Sequence, residues 1–152
     1  MGNHQLDKEL NIEIKILNDE IEENLKMKYI FSSAHRRTQK DKTRWTVSTH
    51  TEIDCFKNTQ TSKYLEGDEV AWGCLKTTSG LIDLGINGHK ENLKIAKFVD
   101  KNKLKIWHGY PADFVRNPQD RPSVSVLKKW RTGDIIEKHH ITKIRQGKTC
   151  NL

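Results

Sequence analysis

Residues Leu10–Lys28, LNIEIKILNDEIEENLKMK, admit two readings, and the choice between them sets the architecture of the N-terminal part of the chain. Leu10, Ile12, Ile14 and Ile16 alternate with polar residues as one face of a strand does. Leu10, Ile14, Leu17, Ile21 and Leu25 instead follow the spacing of one face of a helix. The acids flanking the apolar stripe and the lack of β-branched residues after Ile21 favour the helix. The expectation is therefore an acidic amphipathic helical extension over residues 1–26, joined to a core that begins at Met27. Its narrow stripe can pack on the body of the protein or pair with another helix, a partner's or a second copy's.

From Met27 onward the patterns read as strands. Met27–Ser32 is a short apolar run. From Trp45 to Cys55, Trp45, Val47, Ile53 and Cys55 fall on one face and Ser48, His50, Glu52 and Asp54 on the other, the alternation of a half-buried strand. DEVAWGCLKT, GLIDLGIN, LKIAKFVD and KLKIWHG add four further strand candidates, punctuated by Gly67, Gly80, Gly85, Gly88 and Asn102, although LKIAKFV reads equally well as a short helix. Links this short leave no room for helical crossovers and predict an antiparallel sheet of five or six strands over residues 27–122.

The last thirty residues change character. Ser123 is placed to cap a helix with Val126, Leu127 and Trp130 on one face, and Gly133 to end it. Asp134 and Glu137 have capping-box spacing, and Ile136, Ile141 and Ile144 carry a second helix to Gly147. Residues 123–152 are thus a basic pair of helices with a glycine-containing turn, a helix-turn-helix in outline. The closing ITKIRQGK is similar to the end of the recognition helix in phage-repressor-type DNA-binding domains. That resemblance implies that Lys138, Lys143, Arg145 and Lys148 face phosphates or base edges. The complete expectation is an α+β fold in which sheet core and helical pair belong to one domain.

Charge narrows the function classes. The chain of 152 residues carries a formal charge of +7. Residues 1–27 hold seven acids against three lysines, so the remainder is more basic than the total indicates. A basic body draws phosphate backbones through counterion release, and it also keeps a protein in solution. No stretch approaches the apolar length of a membrane helix, and charges run through the first 25 residues where a secretory signal needs an apolar segment. Cys55, Cys74 and Cys150 are odd in number and widely spaced, which argues against a disulfide framework and for a cytoplasmic protein.

Three constellations carry chemistry. The first is HGYPADFVRNPQDRP, His108–Pro122, which holds all three prolines of the chain. His108, at a predicted strand end beside Tyr110 and Asp113, suits general acid or base work, with Asp113 orienting the ring. Arg116 and Arg121 suit a phosphate. Alternatively Asn117 and Asp120 form turns, Asp120 caps the next helix and the arginines pair with acids. The second is the basic stretch Ala34–Arg44, AHRRTQKDKTR. If Arg36 and Arg37 come near His108, the two segments make a phosphate-binding cleft. The third is His50, Glu52 and Asp54, which on one strand face can share a cation. No metal site or cofactor is specified. The leading expectation is binding of nucleic acid or another polyphosphate through the Arg36 loop and the C-terminal helix. The alternatives are a phosphodiester- or nucleotide-processing enzyme at the 108–121 loop and an accessory protein that docks through its N-terminal helix.

Overall fold

The computed structural model describes residues 7–38 and 41–152. Its strands are β1 (Lys8–Asn18), β2 (Ile21–Phe31), β3 (Arg44–Trp45), β4 (Leu65–Glu66), β5 (Val70–Gly73), β6 (Lys76–Thr77), β7 (Gly80–Leu81), β8 (Gly85–Ile86), β9 (Asn92–Leu93), β10 (Ile95–Asp100) and β11 (Ile106–Ala112). Its helices are α1 (Thr49–Thr61), α2 (Val124–Thr132) and α3 (Lys138–Gln146).

The predicted N-terminal helix is a β-hairpin. β1 and β2 pair antiparallel along their whole lengths, from Lys8 opposite Phe31 to Asn18 opposite Ile21. The alternation of Ile12, Ile14 and Ile16 prevails over the helical stripe because all three isoleucines reach the core, together with Met27 and Tyr29 across the register. Leu17 and Ile21, essential to the helical stripe, are left exposed at 71% and 66%. The reversal is a two-residue turn in which Asp19 (φ 46°) and Glu20 (φ 70°) are both left-handed, the conformation that matches the twist of a hairpin. Lys63 Nζ, just beyond α1, donates to Asn18 Oδ1 at 2.8 Å and holds the hairpin end over that helix.

The hairpin is not an appendage. Six strands form one sheet in the order β1-β2-β11-β10-β5-β4, antiparallel except where β11 runs parallel to β2 through Ile106 opposite Lys28 and Trp107 opposite Tyr29. β3, β8 and β9 form a small second sheet, and β6 and β7 a two-stranded ribbon.

A second correction falls at Trp45–Cys55. Only Arg44–Trp45 is a strand, and from Thr49 the chain is helical. Ser48 decides this: its backbone is extended and its Oγ accepts from Thr51 N at 3.2 Å, an N-cap that starts α1. α1 then buries Glu52, Ile53, Phe56, Thr59 and Gln60, a face of helical period. His50 and Asp54 are consequently one helical turn apart in an exposed pair at 3.3 Å, while Glu52 points inward, so the three cannot share a cation.

The sheet has a core on each face. On one, α1 brings Ile53 and Phe56 against Tyr29, Phe98 and Trp107. Gly109 lies opposite Phe98 across the β10–β11 ladder, and a Cβ there would enter the Phe98 ring, so the absent side chain lets that ring close over the strand. On the other face, α2 and α3 lay Val126, Leu127, Trp130 and Ile144 over Trp72, Ile95 and Ala112. Ser123 caps α2 as its position predicts, accepting from Val126 N at 3.2 Å. α3 is capped by Glu137 and the reciprocal His140 side chain rather than by Asp134, and ends on left-handed Gly147.

Candidate functional site

The helical pair covers only one end of its face of the sheet. Beyond it, the residues of β11 and β10 that alternate away from the α1 core include His108, Tyr110, Lys97 and Val99, all half-buried. The sequence set His108 at a strand end. It lies inside β11, opposite Val99, with its ring on the same side of the sheet as Tyr110 two residues on.

His35, which closes a 3-10 turn at Ser33–His35, is the member of this site that sequence reasoning did not single out. Its ring stacks on Tyr110 with centroids 5.1 Å apart and planes at 18°. His35 Nδ1 donates to the carbonyl of Thr43 at 2.8 Å, which leaves Nε2 as the basic nitrogen of the neutral ring. Desolvation is the main cause that holds His35 below the ordinary histidine value, with Lys42 and His108 adding to it. Desolvation and then Lys101 do the same to His108. Both shifts favour the neutral ring. Tyr110 Oη donates to Asp120 Oδ1 at 2.8 Å, and burial together with that carboxylate pushes its hydroxyl well above the usual tyrosine range.

Around these rings stand lysines. Lys97 Nζ sits 5.4 Å over the Trp72 ring and donates to the Gln119 carbonyl at 2.8 Å. Lys101 and Lys28 are exposed beyond His108, Lys28 within 4.0 Å of Glu9. A cavity of about 210 Å³ opens beside His108, lined also by Ile30, Lys101, Leu104 and Ile106.

The proline-bearing loop is built mainly to hold its own shape. Asp120 does not cap α2; it accepts from Tyr110 and from the Asp113 N–H at 3.0 Å. The Asp113 carboxylate takes Asn87 Nδ2 at 3.0 Å and the Arg116 N–H at 3.3 Å, so it is committed to the loop rather than to the His108 ring. Arg116 forks onto Glu91 Oε1 at 2.8 and 3.1 Å. Arg121 donates to the Phe114 carbonyl at 2.8 Å and lies against Gly147, where a Cβ would meet its guanidinium.

The remaining expected phosphate ligands divide. Arg36 turns inward: its guanidinium reaches Glu52 Oε1 at 2.5 Å and the Val47 carbonyl, and Tyr29 Oη bonds the other Glu52 oxygen. Arg37 is solvent-exposed; Gln39 and Lys40 of the same segment lie outside the described residues. Lys138, Lys143 and Arg145 are on the exposed side of α3, with Arg145 Nη1 donating to the Pro122 carbonyl at 3.0 Å and so lying beside the loop that carries Asp120. His139 is exposed and His140 is buried, its two ring nitrogens bonded to Glu137 N and the Asn151 carbonyl. Among the described residues no three histidine, cysteine or acidic side chains gather as a metal site. Nor is any helix there long and apolar enough to cross a membrane. No family model, curated protein or solved structure matches the chain.

Proposed function

We propose that the protein binds single-stranded nucleic acid on the open sheet face between the β1–β2 hairpin and the helical pair. The observation that carries this reading is the row of His35, Tyr110 and His108 rings on that face, with Lys28, Lys97 and Lys101 about it. Unstacked bases gain about 1–3 kcal/mol each on such rings whatever their identity, and lysines along the row attract the connecting phosphates. The exposed cations of α3 extend the positive surface: residues 123–152 hold seven lysines and arginines against two acids. Of these, Arg145 borders the loop bonded to Tyr110. Three free cysteines, two of them buried with thiols pushed up by desolvation, support a cytoplasmic setting.

The test is fluorescence anisotropy with labelled single-stranded RNA, single-stranded DNA and duplex DNA across a salt series. The reading expects tighter binding to single strands and affinity that falls steeply with salt. Tyr110→Ala is expected to cost about tenfold in affinity, the value of one lost stacking platform. Equal affinity for duplex, or binding indifferent to Tyr110, would remove the sheet face from the function.

A second reading, an enzyme acting on phosphodiesters, draws on two histidines of one site, His35 stacked on Tyr110 and His108 two residues before it, with His108 helping to hold the His35 pKa down. In this reading the neutral ring accepts the proton of the attacking hydroxyl and the other ring, once protonated, donates its proton to the leaving oxygen, so activity falls as rising pH empties that second ring. Cleavage of the bound RNA on prolonged incubation, lost in both His35→Ala and His108→Ala, is the outcome that reading requires.

A further inference from the structure

β1 is the outermost strand of the six-stranded sheet, and among the described residues no strand pairs with its free edge. Edges of this kind are usually shielded by proline, by a bulge, by shortness, by an inward-pointing charge or by charged side chains along the strand, and β1 has only the last of these, in Lys8, Glu9, Glu13 and Lys15, whose opposite signs allow them to pair. β1 is eleven residues long, contains neither proline nor glycine, and pairs with β2 in unbroken register; its central inward-facing residues are Ile12, Ile14 and Ile16. We propose that this edge is an interface, and that its occupant is β1 of a second copy of the chain, paired antiparallel about a two-fold axis through Ile14.

The sequence of β1 is complementary to itself in that arrangement. Two faces are buried differently, so the pairing must keep even-numbered residues opposite even-numbered ones, which places the axis on a residue. An axis on Ile14 sets Ile12 opposite Ile16 and Ile14 opposite itself, joining the apolar stripes of the two copies. On the solvent face it sets Glu13 opposite Lys15 twice, once on each side of the axis. The neighbouring registers are worse. An axis on Glu13 or Lys15 brings a charge against its own copy, and an axis on Ile12 places Lys8 against Ile16. Opposite charges directly across a ladder stabilise it and like charges oppose it. The product is two six-stranded sheets joined edge to edge, with both ring-bearing faces still open.

Sedimentation velocity of the full chain over a wide concentration range tests the proposal, with Glu13→Lys and Lys15→Glu as variants. Each alone sets like charges opposite each other at both symmetric positions and is expected to weaken the dimer by about tenfold or more. Mixing the two variants restores Glu–Lys pairs at both positions, so a heterodimer of near wild-type affinity is expected; so is a dimer of the double variant E13K/K15E. Both substituted positions are exposed, and circular dichroism of each variant confirms that the fold is kept. A wild-type chain that stays monomeric into the millimolar range overturns the proposal. So does a dimer indifferent to both single variants, or one lost in both and not recovered on mixing.

Discussion

Glu52 brings a carboxylate into the α1 core, where only 1% of the residue is exposed, and its two oxygens take Tyr29 and Arg36. Burial raises its pKa while those two hydrogen bonds oppose the rise, and the Tyr29 hydroxyl is driven up by the same burial and by the carboxylate beside it. Arg36 is thus engaged by Glu52 and the Val47 carbonyl rather than turned outward with its basic neighbours. The Tyr29 hydroxyl and the Arg36 guanidinium together make the buried acid tolerable. Replacing Glu52 by Gln leaves the guanidinium, 22% exposed, without its anion, and is expected to cost about 3 kcal/mol in urea-unfolding free energy. The histidines set a pH dependence of definite sign. Desolvation holds His35, His108 and His140 below their ordinary value in the folded protein. The unfolded chain takes up these protons first as the pH falls below about 6.5, so it binds more protons than the folded state in that window. Stability is thus expected to be full above about pH 7 and to decline from there toward the lowered folded values. Urea midpoints measured across this range should show the decline, with a shallower slope in a His35→Gln, His108→Gln double variant.

Two segments fold into a different class from the one their sequence suggests, each for its own reason. In Leu10–Lys28 helical and strand periods coexist, and the turn that decides between them is Asp19-Glu20 instead of the Asn-Gly or Asp-Gly pair that announces a hairpin. Only the tertiary fact that Ile12, Ile14 and Ile16 all find a core separates the two readings, and that fact is not local. In Trp45–Cys55 the buried face of α1 includes a carboxylate, so its apolar period is broken at Glu52, and the capping Ser48 falls equally well on the polar face of a strand. By contrast the C-terminal helices have apolar faces of one clear period, with Ser123 marking where α2 begins and Gly147 where α3 ends, and β11 is legible as a strand although it runs on to Ala112, into the segment that reads as a loop. The candidate site was legible where it lies on β11, through His108 and Tyr110. His35 was not, because only the packing of the 3-10 turn onto that strand joins them. The hairpin turn offers its own test. Glu20 holds φ 70° with a side chain whose Cβ disfavours that region by roughly 1 kcal/mol or more. Glu20→Gly is expected to raise thermal stability by a free energy of about 1 kcal/mol, whereas a helical N-terminus would be weakened by glycine.

At the scale of the whole molecule, the two cores are the two sides of the same strands. Phe98 and Gly109 face α1 while Ile95 and Ala112 lie under α2 and α3, and all four belong to the β10–β11 pair. A side chain lost from one face therefore weakens the ladder on which the other is built. This argues against treating residues 123–152 as a detachable binding module, even though their sequence suggests a helix-turn-helix in outline. α3 buries Ile144 in the shared core and its terminal cap places Gly147 against Arg121, so its basic side is presented by the sheet domain as a whole. Trp130 is the sharpest probe of that unity, being fully buried between the helical pair and the sheet, with its ring edge-on to Tyr64. Trp130→Ala is expected to destabilise by about 3–5 kcal/mol. If the chain is one cooperative unit, the loss lowers the unfolding midpoint followed by far-ultraviolet circular dichroism and that followed by the fluorescence of the remaining tryptophans by the same amount, because Trp45 and Trp107 in the opposite core unfold with the helices. Midpoints that separate, with the helical signal lost first, would instead make residues 123–152 a unit that opens on its own, and the basic surface of α3 a module independent of the ring-bearing sheet face.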